Sequence, residues 1–281
     1  MTSYAIRKFK DKLALILSFL CVAIAIIPLG SILIEVVKNG APALSVQFLT
    51  SPPGAVGEAE GGIANSIQGT LILIGLTSLI GVPVGLMSGV YLAEFGNNAF
   101  GRTIRFFNDV LMQFPSIVVG IFVYMLVILA LGSFSTIAGA VALSIIMLPI
   151  VSRTTEESIK LVPNSTREAA MALGIKRWRT TISIVLSSAR GGIVTGTLLS
   201  IARIAGETAP LIMTILGSQW FFAGLTAPMD ALPLRVWRLT LLPYDYAHEQ
   251  GWGAALILII IVLTLNVGVR FATKRRYTAG R

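Results

Sequence analysis

Six stretches of the chain, residues 13–34, 70–93, 110–132, 134–152, 191–217 and 252–272, are apolar almost throughout. Each is long enough to cross a bilayer as a helix, which takes about 20 residues. The third and fourth meet at Gly132-Ser133 and so predict a tight helical hairpin. Prolines interrupt several runs (Pro28, Pro83, Pro115, Pro149, Pro210). Membrane helices tolerate them where neighbouring helices or water satisfy the freed backbone groups. Two polar stretches stand out between the runs. Residues 35–66 are rich in turn formers (Pro42, Pro52, Pro53, Gly54, Gly57, Gly61, Gly62), and residues 153–190 carry the largest share of the internal charge. The pattern divides the chain into a tail 1–12, a first span 13–34, a loop 35–69, a five-span core 70–272 enclosing the polar loop 153–190, and a tail 273–281.

Composition narrows the class. The chain is 55% hydrophobic and 12% charged, about half the charged fraction of a soluble domain, so too little polar surface exists to cover a water-facing exterior. The formal net charge of +9 does not point to nucleic acid, because no long basic stretch with interleaved aromatics lies outside the membrane pattern. The charge is instead sorted by loop. Eighteen Lys and Arg lie in the N-terminal tail, in loops 94–109 and 153–190 and from Arg270 onward, against three (Lys38, Arg235, Arg238) in the alternate loops. That asymmetry places both termini and the 153–190 loop in the cytoplasm. The basic start followed by an apolar run has the charge order of a signal peptide. The run is too long for one and lacks a small-x-small exit, so a retained anchor is expected. Trp220, Phe221, Phe222, Trp237, Tyr244, Tyr246 and Trp252 then fall in or beside the last outer loop, as interfacial anchors do. One cysteine, Cys21, and one histidine, His248, leave neither a disulfide framework nor a metal-ligand set, so no metal site is expected.

Within the 153–190 loop, VPNSTREAAMALG predicts a short helix. Ser165 and Glu168 stand at capping-box spacing, and Gly174 offers a left-handed stop. Ala169, Ala170 and Ala172 are small enough for another surface to approach closely. A second helical stretch, KRWRTTISIVLSS, leads into the fifth span. From the residues alone, a polar loop containing a good helix accounts for the segment equally well.

The fifth span raises a sharper question, because Arg203 and Glu207 sit inside it. An ionised side chain at the centre of a spanning helix costs about 2.5–3.5 kcal/mol on insertion scales. On a continuous helix Gly192, Gly196, Ser200, Arg203, Glu207, Pro210 and Thr214 would share one face. Two readings stand: a buried ion pair that locks helix packing, or a charged stripe lining a water-filled route, the default for intramembrane ionisable residues. Arg before Glu is the weaker order for helix stability. Gly206 and Pro210 weaken the helix beside the glutamate, as expected where backbone faces a cavity.

Glu168-Ala169-Ala170, then Gly174, then Ile184-x-Leu186 resembles the EAA motif of ABC-transporter permeases, with Ser187 where the family usually has proline. Arg203-Ile-Ala-Gly-Glu207-Thr-Ala-Pro-Leu211 is similar to the fifth-span signature of the phosphate-specific permeases of that family. The resemblance extends to GGIANSIQGT (61–70) before the second span and QGWGAA (250–255) at the start of the last. It implies the all-α, six-helix type I ABC-importer permease fold in a bacterial plasma (inner) membrane. It implies an importer of inorganic phosphate, the alternative being a permease for another oxyanion or small solute. Arg203, Glu207 and Thr208 would belong to the substrate path, while Glu168, Ala169, Ala170 and Gly174 would couple to the ATPase. The implied partners are a second permease of the PstC type, an ATPase dimer of the PstB type and an extracytoplasmic phosphate-binding protein of the PstS type. The chain has no G-x-x-x-x-G-K-[ST] phosphate loop. It is therefore expected to be no enzyme and to hold no cofactor, with ATP and Mg²⁺ used by the partner ATPase. An intramembrane enzyme or ion channel is disfavoured, since no nucleophile–base constellation or filter-like repeat is present.

Overall fold

The structure, a computed structural model, describes residues 4–55 and 60–278. The predicted tails 1–12 and 273–281 and the predicted 35–69 loop lie partly outside these residues. Eleven helices run through the described residues: α1 Tyr4–Gly40, α2 Val46–Thr50, α3 Ala64–Glu94, α4 Ala99–Gln113, α5 Ser116–Leu131, α6 Thr136–Lys160, α7 Asn164–Ala172, α8 Arg177–Ala205, α9 Ala209–Thr214, α10 Leu232–Thr240 and α11 Asp245–Thr278. Helices α1, α3, α6, α8 and α11 are each long and apolar enough to cross a membrane, and α4 with α5 makes a sixth span if the bent pair counts as one.

The central pair is α3 with α6. Gly81, Gly85 and Gly89 recur every four residues on α3 and admit α6 at close range. A Cβ on Gly85 would lie 2.8 Å from the Val151 Cβ, and one on Gly89 would lie 2.5 Å from the Ser152 carbonyl oxygen. Small residues at such spacing let membrane helices pack where burial from water supplies no drive. Leu73, Leu143, Met147, Val151, Ile204, Leu211 and Ile215 form the main apolar cluster around this pair. By contrast α1 stands off, with none of its apolar window buried. Its principal neighbour is α11, which it meets at Gly40, where a Cβ would come 2.6 Å from the Trp252 carbonyl oxygen.

Two expectations require correction. The third span is not a continuous helix over 110–132, and residues 94–109 are not a simple loop. Helix α4 occupies most of that loop, and α5 leaves it at an angle of 106°. The turn falls at Phe114-Pro115, where proline forces its predecessor out of the helical region, and Phe114 is extended (φ −67°, ψ 133°). The hairpin itself is present, with Gly132 closing α5 in the left-handed region at φ +73°.

The fifth span is the second correction. Helix α8 begins at Arg177, well before residue 191, and passes Ser187 unbroken, with one π-turn at Thr181–Val185. It then ends at Ala205. Gly206, Glu207 and Thr208 connect it to α9, which has Pro210 in its first turn. The supposed single face is therefore divided. Gly192 and Gly196 pack on Ser158 and Thr154 of α6, Ser200 is buried, and Pro210 packs on Gly120 of α5. Beyond α9 the chain turns at Leu216 (φ +57°) and Gly217 (φ +84°) and folds over the start of α6. There the carbonyls of Thr214, Leu225 and Ala227 accept from the N–H groups of Ser135, Ile137 and Thr136, which an α-helix leaves unsatisfied at its start.

Candidate functional site

The fifth-span charges lie where α8 stops. Arg203 is in the last turn of α8, Glu207 in the break and Thr208 at the entrance of α9, where its carbonyl accepts from Leu211 and Ile212. Arg203 Nε is 3.6 Å from Glu207 Oε1; the arginine side chain is 55% exposed and the glutamate 16%. A single ion-pair contact of this length and exposure adds little to helix stability. The guanidinium emerges from the bundle in a shallow recess with Leu111, Met112, Phe114, Ser116, Ile146 and Ile150. The α4–α5 elbow and the α8–α9 break thus meet at one level, with a lone cation among apolar walls. Gly192, Gly196, Ser200, Pro210 and Thr214 do not line this recess.

At the end where α6 finishes, α7 forms the predicted short helix, but not with the predicted cap. Its N-cap is Pro163, with no side-chain cap hydrogen bond, and Ser165 lies inside the first turn. Proline fixes φ just ahead of the helix, which starts it two residues before the capping-box register. Gly174 does hold the left-handed conformation, φ +77°. Glu168 and Ala169 are exposed, whereas Ala170 is buried at 4% and seats the helix. Leu161, Met171, Leu173 and Trp178 are exposed around them. This leaves an apolar face beside the glutamate.

The sequence pattern did not single out what ties α7 to the spans. Glu94, the last residue of α3, has a 4% exposed side chain and lies 2.8 Å from Arg167 Nη2. Arg167 Nε donates to the same carboxylate oxygen at 2.9 Å, while Nη1 and Nη2 donate to the carbonyls of Val162 and Ile159 at the end of α6. Thr181 of α8 donates to the other Glu94 oxygen. Arg177 donates to the Glu94 carbonyl and lies 4.9 Å from the centre of the Phe95 ring. One arginine of α7 therefore holds the ends of α3 and α6 together, and the cation also offsets the negative helix ends there. A parallel tie uses Arg105 of α4, which pairs with Glu156 of α6 at 2.8 Å and donates to the carbonyls of Leu92 and Gly96. The visible signal was charge at the limits of apolar runs, but which charges pair depends on helix lengths that hydropathy alone mislocates.

Among the described residues, no group of three His, Cys, Asp or Glu is placed to hold a metal ion. His248 Nε2 faces the carbonyl of Leu242 at 2.9 Å.

Residues 81–275 match the family model described as the inner membrane component of binding-protein-dependent transport systems. The chain is 43% identical over 271 residues to the phosphate transport system permease protein PstA of Pasteurella multocida, covering 96% of both chains. It is 42% identical to the protein of the same name from Yersinia pestis, covering 96% of this chain and 92% of that one. Among solved structures it resembles a bacterial alginate ABC transporter in complex with alginate pentasaccharide-bound periplasmic protein. The TM-score is 0.68 at 15% identity, over 96% of each chain.

Proposed function

We propose that this chain, which belongs to the inner membrane permeases of binding-protein-dependent transport systems and within them to the PstA phosphate permeases, forms one half of a phosphate path. Arg203 is the station in that path at which the anion is held. The observation that carries this reading is an exposed guanidinium at a double helix break, held by one long contact to its counter-ion. Arginine offers a planar fork of donors that matches phosphate oxygens. A lone arginine among apolar walls would retain the anion, whereas conduction needs binding weak enough to leave. Glu207 reclaims the guanidinium when the anion departs and keeps the empty station neutral. Thr208, with its hydroxyl in the same break, is a second donor.

The opposite half of the path comes from a PstC-type permease. Phosphate is delivered by a PstS-type binding protein at the extracytoplasmic end, and ATP with Mg²⁺ is used by a PstB-type dimer docked on α7. Glu168 and Ala169 form the contact, Ala170 seats α7, and Gly174 sets its end. The Arg167–Glu94 tie then carries the movement of α7 into α3 and α6. Both termini and α7 face the cytoplasm, so cysteines replacing Ser165 and Ser218 should label from opposite sides in intact cells.

Vesicles containing all partner subunits test the substrate. Radiolabelled phosphate should accumulate with ATP and should not be displaced by excess sulfate; accumulation of sulfate in its place would overturn the assignment.

A further inference from the structure

We propose that Arg238, in the last turn of α10, is a second oxyanion site that receives phosphate at the end of the bundle opposite α7. The proposal rests on Arg203 being the inner station. Two arginines of α10 lie near one buried acid. Asp230 is fully buried and ion-paired with Arg235 Nη2. Ser66 donates to Asp230 Oδ2 at 2.7 Å, while Arg235 Nε donates to Ser66 and Nη2 to the Ser218 carbonyl. Arg235 and Asp230 therefore cancel.

Arg238 is left over. Among the described residues its side chain has no hydrogen-bond or ion-pair partner. Asp230 Oδ1 has no partner either, so the second carboxylate oxygen has not closed on Arg238. The guanidinium lies flat against Gly217, where a Cβ would come 2.4 Å from Nη1. The φ of +84° favours glycine there, and its missing side chain leaves room for the guanidinium. The side chain is half-buried, and its burial, with the like charge of Arg235, holds the guanidinium below its usual pKa against the pull of Asp230. A partly desolvated cation with five unused donors lacks an acceptor, and a tetrahedral oxyanion suits its fork.

Position links the two arginines. Arg238 rests on Gly217, three residues past the end of α9, and Glu207 stands two residues before its start. Helix α9 has six residues, about 9 Å at ~1.5 Å per residue. The stations thus bracket one short helix, and two weak sites in series pass an ion more readily than one strong site. The same fork would accept a phosphate ester of a lipid headgroup; the chemistry is shared and the source is decided by experiment.

The complete importer, with partner permease, ATPase pair and binding protein, is reconstituted in phospholipid vesicles and, separately, in vesicles of phosphate-free glycolipid. Arg238→Gln should lower uptake at limiting phosphate by about tenfold or more, the factor for a lost charge-assisted hydrogen bond. Arg238→Lys, which keeps the charge without the fork, should fall between. Stimulation of ATP hydrolysis by phosphate-loaded binding protein should persist in both. The same loss in glycolipid vesicles assigns the site to inorganic phosphate, and a loss confined to phospholipid vesicles assigns it to a headgroup. Unchanged uptake in both lipids, or loss of ATPase stimulation together with uptake, overturns the proposal, the latter by making Arg238 a docking contact. Arg203→Gln is assayed in parallel: normal uptake there defeats the inner station while the effect of Arg238 is still read on its own.

Discussion

At the α7 end of the bundle, arginine and glutamate meet under saturation. Arg167 uses three nitrogens on one buried carboxylate and two carbonyls, and Arg105 uses three on Glu156 Oε1 and two carbonyls nearby, with Glu156 Oε2 left without a partner. At the α8–α9 break the same two residue types meet once, at 3.6 Å, with the arginine open. The difference separates two tasks. A joint that transmits movement must leave no donor idle, because any slack absorbs displacement. A station that hands on an anion must keep donors available, because a saturated guanidinium has nothing to offer.

The largest effect expected is on the open pair. Arg203→Gln should reduce phosphate uptake by about a hundredfold, since hydrogen bonds to charged groups contribute up to about 3 kcal/mol, while the complex still assembles. Survival of uptake would erase the distinction between the two regions. Next, Glu94→Ala should lower stability by about 3 kcal/mol, because it strands the partly buried Arg167. A depressed melting temperature of the purified complex, with ATP hydrolysis that no longer tracks transport, would show that the joint bears load; unchanged coupling would remove it from the path of movement. Gly174→Pro should uncouple transport from hydrolysis, since proline cannot reach φ +77°, with membrane insertion intact. Glu168→Lys should have a smaller effect, about tenfold on coupled transport, through the reversed charge on the exposed contact face of α7. It lies outside the saturated joint, so the stability of the subunit should not change; a lower melting temperature would place it inside.

Much of the architecture was legible because hydropathy reports directly on the bilayer. The breaks were only half legible. Pro115 and Gly206 were visible, yet an apolar run gives no sign that its axis turns by 106°. The face through Gly192, Gly196 and Ser200 was misassigned for a physical reason: small residues line a water-filled route and a tight helix contact equally well, and here they pack on α6. The stripe Gly81, Gly85, Gly89 carried the same signal and marked the α3–α6 contact. The Glu94–Arg167 joint joins residues 73 positions apart, and nothing local in the sequence pairs them.

Arg203 and Glu207 serve either the anion or each other. Radiolabelled phosphate uptake by the assembled importer carrying Arg203→Gln and Glu207→Gln together tests this most directly. The double change leaves no unpaired charge, so folding and assembly should match the unmodified protein. Uptake should remain as low as in Arg203→Gln alone, because the anion has lost its donor. Recovery of uptake to the unmodified rate would mean that the pair is structural and that phosphate crosses elsewhere.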